Sequence, residues 1–250
     1  MWFKLRRRFS ADVSPFMKNL ITLSNPWTHY EFETFFNEEI RSKLHSIVYD
    51  PCSEWELEDN LEPRYYIPIR RMNYHKDIFT KKIVDYVTNA QTINLLNSLS
   101  NNHITGDDLV CHYRITKDLP GYKKECHVDI KTLFTLMVWI TDHDDVNYGS
   151  EILNDDMSFN RNTIYKDNAG YMFFTDNGHL TYHSYMKDCP SERYAFMYNI
   201  YREKDFLSIY SGNESIFDLA GKKRAIFDLK DTLFNINDLL ELQKNGNCMG

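Results

Sequence analysis

The sequence lacks several features that would place it in a membrane or disulfide-rich class. No run of about 18 or more apolar residues occurs, and the first residues do not begin the apolar stretch of a secretory signal, so we expect neither a membrane span nor export. The five cysteines are odd in number and contain no CxxC pair, which argues against a disulfide framework or a cysteine-based zinc site. These absences favour a cytoplasmic protein.

An excess of positive charge is also lacking. The 36 acidic and 29 basic residues give a formal net charge of −7, so the molecule does not carry the basic field of a duplex-binding protein. Basic residues cluster at 4–8 and at 70–71, but a short cluster of this kind is usually a solvated surface. We therefore expect a partner other than nucleic acid.

Glycine is scarce, with 9 residues in 250, whereas tyrosine and phenylalanine number 17 and 16. Aromatic side chains fit the pleated, half-buried surface of a sheet, so this composition favours a sheet-rich interior. A chain of 250 residues can bury one sizeable core. We expect one compact domain with helical additions at its ends.

Residues 1–107 are predicted to form mainly helical support for this core. One helix follows Asn37, a favourable N-cap with two glutamates after it, and its apolar residues recur at helical spacing. Further helices are predicted over residues 77–87 and 90–99. The polar stretch 51–73 is interpreted as an irregular loop that covers a site.

Residues 108–202 have strand composition and are predicted to form the core. Residues 132–140 are almost continuously apolar, as expected of a strand covered on both faces. The predicted strands are 109–115, 132–140, 150–153, 171–175, 181–186 and 192–201. Short strands in succession, with helices gathered before them, indicate a mainly β jelly roll with supporting α-helices. Residues 203–250 are predicted to add a C-terminal helical extension, with a helix near 237–243.

Three His-x-Asp pairs could contribute to a metal site. In a strand, residues i and i+2 point the same way, so such a pair offers an imidazole and a carboxylate from one face. Strand-like sequence flanks only one of the pairs on both sides, whereas the other two fall at the start of a predicted helix and in a polar turn. The pairs are His75/Asp77 at the helix start, His127/Asp129 between strands and His143/Asp145 in the turn. We therefore choose His127 and Asp129.

A facial iron site requires a second imidazole and open positions for substrate and oxygen. His183 lies on a predicted strand and is the expected third ligand. Arg193 follows ten residues later, on the mixed face of a strand whose other face is aromatic. An arginine that points into a barrel needs an anion, which a dicarboxylate cosubstrate would supply. The alternative is an ion pair between Arg193 and an internal Asp or Glu.

The order HisValAsp (127–129), GlySerGlu (149–151), AlaGlyTyrMetPhePhe (169–174), His183 and Arg193 resembles the iron(II)/2-oxoglutarate-dependent oxygenases, especially their prolyl-hydroxylase-like branch. The resemblance covers roughly residues 109–201. It implies a double-stranded β-helix, a variant of the jelly roll. It also implies that Fe(II), 2-oxoglutarate and O2 serve to hydroxylate an unactivated C–H bond, with release of succinate and CO2.

The same resemblance assigns the distal carboxylate of 2-oxoglutarate to Arg193 and suggests Tyr113 as a second contact. The sequence departs from the family at Ala195, where a serine is common, and at GlySerGlu in place of GlyGlyGlu. The roles of Tyr122 and Lys131 stay open. The presence of Asp129 argues against the halogenating variants, which lack this carboxylate.

Two other interpretations stay open on the residues alone. One is a metal-dependent cupin enzyme that does not use 2-oxoglutarate, and the other is a metal-free jelly-roll binding module. The substrate is also open among small molecules, sugars and peptides. Residues 62–71 and 142–148 are candidates for the cavity entrance.

Overall fold

The computed structural model describes residues 7–8, 17–57, 64–101, 104–129, 131–145, 148–175, 181–185, 191–211 and 231–246. The strands are β1 (Arg7–Arg8), β2 (Ile21–Leu23), β3 (His29–Phe32), β4 (Glu56–Leu57), β5 (Arg64–Pro68), β6 (Leu109–Asp118), β7 (Lys124–His127), β8 (Thr132–Ile140), β9 (Glu151–Leu153), β10 (Phe159–Asn162), β11 (Gly170–Phe174), β12 (His183–Tyr185), β13 (Arg193–Arg202) and β14 (Leu233–Asn235). The helices are α1 (Glu38–Val48), α2 (Ile78–Val87), α3 (Ala90–Leu99), α4 (Glu203–Ser211) and α5 (Ile236–Gly246), with a 3-10 turn at Arg71–Asn73.

The strands form two antiparallel sheets. The larger has the order β1-β2-β3-β11-β8-β13-β6-β5-β4, with β14 also paired to β6, and the smaller has the order β10-β9-β12-β7. Strands distant in sequence therefore lie side by side, as in a jelly roll, and the two sheets meet around one cavity. This architecture is a double-stranded β-helix, which confirms the predicted fold class.

Strand β13 lies between β6 and β8 and separates two apolar layers. Its even-numbered residues from Tyr194 to Ile200 enter the main core beneath the helices, whereas Ala195 and Met197 enter a second core between the sheets. This alternation follows from the two-residue period of a strand. The predicted division into an aromatic face and a mixed face is confirmed.

Helices α1, α2, α3 and α5 pack on the face of the larger sheet that points away from the cavity, whereas Phe206 of α4 packs with Val110 and Tyr201. Asn37 caps α1 by accepting a hydrogen bond from the backbone N–H of Ile40 at 2.9 Å, and the inner side of this helix is buried. Asp77 caps α2 in the same way, with Thr80 N at 2.7 Å from Oδ2. Both caps satisfy N–H groups that a helix start leaves without a partner. The three N-terminal helices and the C-terminal helix agree with the predictions.

The N-terminal region also contributes strands that the sequence analysis missed. Strands β2 and β3 extend the larger sheet beside β11, and β5 pairs with β6 so that Arg64 lies opposite Asp118. The prediction of an irregular loop is therefore wrong for Arg64–Pro68. Pairing through the backbone requires no apolar side-chain pattern, so a short strand without alternation leaves little signal in the sequence. No described helix is long and apolar enough to cross a membrane.

Candidate metal centre

His127, Asp129 and His183 converge at one end of the smaller sheet. His183 on β12 lies directly opposite His127 on β7, and Asp129 follows two residues after the end of β7. Asp129 Oδ1 is 3.7 Å from His127 Nε2 and 3.6 Å from His183 Nε2. One ligand atom from each residue lies within 4.8 Å of the others. The three predicted ligands therefore share one site.

The two imidazoles present the same ring nitrogen to the centre of this site. His127 Nδ1 lies 2.7 Å from the carbonyl oxygen of Glu125, and His183 Nδ1 lies 2.9 Å from that of Thr181. Because a carbonyl only accepts, each Nδ1 carries a proton, so that in the neutral ring Nε2 is the nitrogen with the lone pair that could bind an ion. Burial lowers the pKa of His127 to about 4, with a further contribution from the neighbouring His183. A neutral imidazole is the form that binds a metal.

Asp129 offers one oxygen to the site and uses the other for a hydrogen bond. Thr135 Oγ1 on β8 donates to Asp129 Oδ2 at 2.8 Å. Two neutral imidazoles and one carboxylate on one side of an ion are the donor set of a facial iron(II) site. The residues present therefore fit iron(II).

The triad opens into a cavity of about 370 Å³ between the two sheets. Its lining combines tyrosines and methionines with four cationic side chains. The lining residues are Arg64, Arg114, Tyr122, Lys124, His127, Asp129, Thr132, Thr135, Met137, Ser150, Tyr171, His183, Ser184, Tyr185, Arg193, Met197, Asn199 and Tyr201. A concave site with a metal triad and a few convergent polar groups is a typical ligand pocket.

Arg193 lies in this cavity and is almost completely buried, at 3% exposure. Its Nε and Nη2 bind Asp118 Oδ2 at 2.9 and 2.6 Å, and its Nη1 donates to the carbonyl of Tyr148 at 2.6 Å. The guanidinium also stacks over the ring of Tyr185, 3.7 Å from its centroid. The internal ion pair that the sequence left as an alternative is therefore present.

Asp118 binds a second arginine on its other side. Arg64 Nε lies 2.5 Å from Asp118 Oδ1, and its guanidinium lies 4.4 Å from the ring centroid of Tyr122. Burial alone would raise the pKa of Asp118, but attraction and hydrogen bonds from Arg64 and Arg193 hold that pKa below its usual value. Two guanidinium groups and one carboxylate give this end of the cavity an excess of one positive charge.

The fold of this chain is similar to that of several solved structures. No family model and no curated protein sequence matches the chain. Among solved structures, a prolyl-4-hydroxylase from Pseudomonas putida is similar with a TM-score of 0.53 and 10% identity, over 70% of this chain and 92% of that one. A Trichoplax adhaerens prolyl hydroxylase in complex with a hypoxia-inducible-factor peptide fragment gives 0.52 and 12% identity, over 71% and 84%.

The fold is that of these prolyl hydroxylases. At these identities the similarity concerns the architecture of the chain. The predicted resemblance to the prolyl-hydroxylase-like branch is confirmed at the level of the fold.

Within this fold, Tyr113 is not at the cavity. It lies on the opposite face of β6, fully buried in the main core, where it stacks on Tyr198 with ring centroids 5.0 Å apart. Its hydroxyl lies 2.5 Å from Thr88 Oγ1. The suggested contact with a cosubstrate carboxylate therefore does not fit this structure, because strand alternation sends Tyr113 to the helix side and Arg114 to the cavity.

Other tyrosines line the cavity instead. Tyr122 and Tyr185 stack with centroids 6.3 Å apart beside the two arginines. Tyr171 lines the wall and donates from its hydroxyl to Ser150 Oγ at 2.8 Å. Ser150 belongs to the GlySerGlu segment, and the glycine before it is required because a Cβ at Gly149 would lie 2.1 Å from the carbonyl oxygen of Thr163. This segment therefore forms part of the cavity wall.

The remaining His-x-Asp pairs and Lys131 lie outside the cavity lining. Asp77 caps α2, as described above. His143 Nδ1 lies 2.9 Å from Oδ1 of the adjacent Asp142 in an exposed turn. Lys131 has a positive φ of 68° and donates to Ser208 Oγ at 2.8 Å. The choice of His127/Asp129 among the three pairs agrees with this placement.

Proposed function

We propose that the protein is an iron(II)- and 2-oxoglutarate-dependent oxygenase that hydroxylates a C–H bond of a small molecule, sugar or peptide. The observation that carries this proposal is the convergence of His127 Nε2, His183 Nε2 and Asp129 Oδ1 in a cavity that also contains Arg193. Bound iron would couple the decarboxylation of 2-oxoglutarate by O2 to insertion of one oxygen atom into the C–H bond. The products are the alcohol, succinate and CO2.

His127, Asp129 and His183 would hold the iron. The backbone acceptors of Glu125 and Thr181 fix both rings, so the donor atoms face the ion before it binds. Pre-oriented ligands of this kind give a site of defined geometry and leave the cavity side of the ion open for ligands. We propose no further protein ligand to the metal.

Arg193 would bind the distal carboxylate of 2-oxoglutarate. Of its five N–H groups, described partners use three, which leaves one on Nη1 and one on Nη2 for a carboxylate. Asp118 and Tyr185 hold the guanidinium plane in place, so little side-chain entropy is lost when the cosubstrate binds. The additional positive charge of Arg64 favours an anion at this end.

Apolar side chains in the cavity wall would help to exclude water from the reaction. Met137 and Met197 lie on adjacent strands of the cavity floor, and both are nearly buried. A cavity of about 370 Å³ accommodates a small molecule or one side chain of a larger substrate. A peptide substrate is compatible with this size, and the Trichoplax prolyl hydroxylase was solved with a peptide fragment.

A second candidate is a metal-dependent cupin enzyme that does not use 2-oxoglutarate. The ion pair between Arg193 and Asp118 favours it, because an arginine with an internal counterion needs no anionic ligand. The two candidates share the metal site and differ in the cosubstrate. A titration of 2-oxoglutarate therefore separates them.

The deciding experiment begins with the anaerobic purified protein loaded with Fe(II) or Mn(II). We expect about one metal ion per chain, saturable binding of 2-oxoglutarate to the Mn(II) form, and succinate formation when the Fe(II) form receives 2-oxoglutarate, O2 and a panel of substrates. Metal binding without 2-oxoglutarate binding would favour the cupin enzyme. Absence of metal binding would favour a metal-free binding module and contradict both enzymatic proposals.

A further inference from the structure

Two buried polar side chains continue the site behind Asp129. Thr135 Oγ1 donates to Asp129 Oδ2 at 2.8 Å, and Asn199 Nδ2 donates to Thr135 Oγ1 at 2.9 Å. Thr135 and Asn199 are each only 2% exposed. They lie opposite each other on the paired strands β8 and β13, so the sheet itself fixes their separation. None of the sequence motifs described above includes either residue.

The chemical groups involved determine which atom donates in each of these two hydrogen bonds. The amide nitrogen of Asn199 only donates, so the hydroxyl oxygen of Thr135 accepts that hydrogen bond. The single hydroxyl hydrogen of Thr135 is then donated in a hydrogen bond to Asp129. The carboxylate oxygen that accepts this hydrogen bond is Oδ2. The other oxygen, Oδ1, is the one that faces His127 and His183.

We propose that Thr135 and Asn199 are positioning residues that hold Asp129 as a monodentate metal ligand. The inference rests on the proposed metal centre. A carboxylate that bound through both oxygens would occupy one more coordination position, which a cosubstrate or O2 would then lack. The hydrogen bond from Thr135 engages Oδ2 and thereby keeps that position open.

A purely structural role accounts less well for Asn199. Its Oδ1 is buried and has no hydrogen-bond partner within the described residues, and a buried acceptor without a donor destabilises the folded protein. A leucine of similar size would fill the same space without this cost. The benefit of an asparagine here is the hydrogen bond that it donates to Thr135.

The chain offers a matched control for Thr135. Thr116 on β6 is also buried, at 1% exposure, and its Oγ1 donates to the carbonyl of Ala195 on the paired strand at 3.3 Å. Its hydroxyl contacts no proposed metal ligand. Thr116→Val and Thr135→Val therefore remove the same atoms from the same sheet, but only the second change affects Asp129.

The experiment is a titration of the full-length apoprotein with Co(II), followed by the visible d–d absorption, for the wild type and the variants Thr135→Val, Thr135→Ser, Asn199→Leu and Thr116→Val. We expect Thr135→Val to weaken Co(II) binding by about ten- to a hundredfold and to change the absorption spectrum. Thr135→Ser should restore both properties, and Asn199→Leu should give a smaller loss. Thr116→Val should bind Co(II) like the wild type. Thermal melting of each apoprotein checks that it is folded.

The outcomes separate this proposal from the proposed function. A wild-type protein that binds no Co(II) would overturn the metal centre itself. A wild-type protein that binds Co(II), with Thr135→Val unchanged in affinity and spectrum, would overturn the positioning role alone. Should Thr135→Val fail to fold, Asn199→Leu decides, since wild-type affinity and spectrum in that variant would equally contradict the proposal.

Discussion

Arg193 and Asp118 form a buried ion pair across strands β13 and β6, with Nη2 2.6 Å from Oδ2. The pair gives Arg193 a counterion before any ligand binds, which offsets the cost of removing its charge from water. Because Arg64 binds the same carboxylate, the three side chains Arg64, Asp118 and Arg193 together carry one net positive charge. An anionic cosubstrate would balance that charge.

The first prediction concerns this arginine. Arg193→Ala removes a charge-assisted pair worth on the order of 1.5–3 kcal/mol, so 2-oxoglutarate affinity should fall about ten- to a hundredfold. The 2-oxoglutarate affinity of Arg193→Lys should lie between those of Arg193→Ala and the wild type, because lysine keeps the charge but loses the forked geometry. Calorimetric titration of the anaerobic Mn(II) form measures the affinity.

Metal content is the control for the arginine variants. Arg193 does not contact the triad, so iron should be retained in both proteins. A folded, metal-loaded Arg193→Ala protein that bound 2-oxoglutarate as tightly as the wild type would favour the cupin alternative.

The second prediction concerns the ligands. His127→Ala and His183→Ala each remove one of three protein donors, and both variants should lose most of the bound iron because a two-donor site holds the ion weakly. His75→Ala and His143→Ala are matched histidine controls from the other two His-x-Asp pairs and should keep wild-type metal content. Elemental analysis of the purified proteins measures the metal. Full retention in both ligand variants would refute the assignment.

The candidate ligands His127 and Asp129 could be selected from the sequence because neighbouring residues carry the signal. The flanking sequence distinguished His127/Asp129 from the other two pairs, and in the structure His127 ends β7 with Asp129 two residues beyond it. The alternation of a strand correctly divided β13 into an aromatic face and a cavity face. These inferences depend on residues close together in the chain.

Contacts between strands that are distant in sequence could not be predicted. Asp118 lies 75 residues before Arg193, and only the register of β6 against β13 brings them together. Tyr113 was assigned to the cavity because its position in sequence suited the family, but the alternation of β6 places Tyr113 on the helix side with Cys111 and Ile115, and Arg114 at the cavity. The short strand Arg64–Pro68 has no alternation of apolar and polar residues, so its pairing with β6 had no signal in the sequence.

The third prediction follows from the corrected position of Tyr113. Tyr113→Phe should leave 2-oxoglutarate affinity unchanged, because the hydroxyl bonds to Thr88 in the main core. The free energy of unfolding should fall by about 1 kcal/mol, since one buried hydrogen bond is lost. Urea unfolding and the Mn(II)-form titration measure the two quantities. A large loss of cosubstrate affinity would show that Tyr113 reaches the cavity after all.

The last prediction concerns the pH dependence of stability. Asp118 has a folded-state pKa below its usual value, since the attraction of two arginines outweighs the effect of burial. Its stabilising contribution is therefore complete above the unfolded-state pKa of about 3.9 and is lost as the pH falls through the lower folded-state value. Asp118→Asn removes this contribution and leaves Arg64 and Arg193 without their shared counterion. At pH 7 the free energy of unfolding should fall by about 3–5 kcal/mol, as when one partner of a buried ion pair is removed.

The difference between wild type and Asp118→Asn should then narrow as the pH is lowered below about 4, because Asp118 of the unfolded wild-type chain takes up a proton there while folded Asp118 still carries its charge. Urea unfolding of both proteins at pH 7, 5, 4 and 3 measures this difference directly. Comparing the two proteins at each pH cancels the titration of all other carboxylates, which both share. A difference that stayed constant down to pH 3 would contradict the lowered pKa of Asp118, and a difference near zero at pH 7 would contradict the buried ion pair.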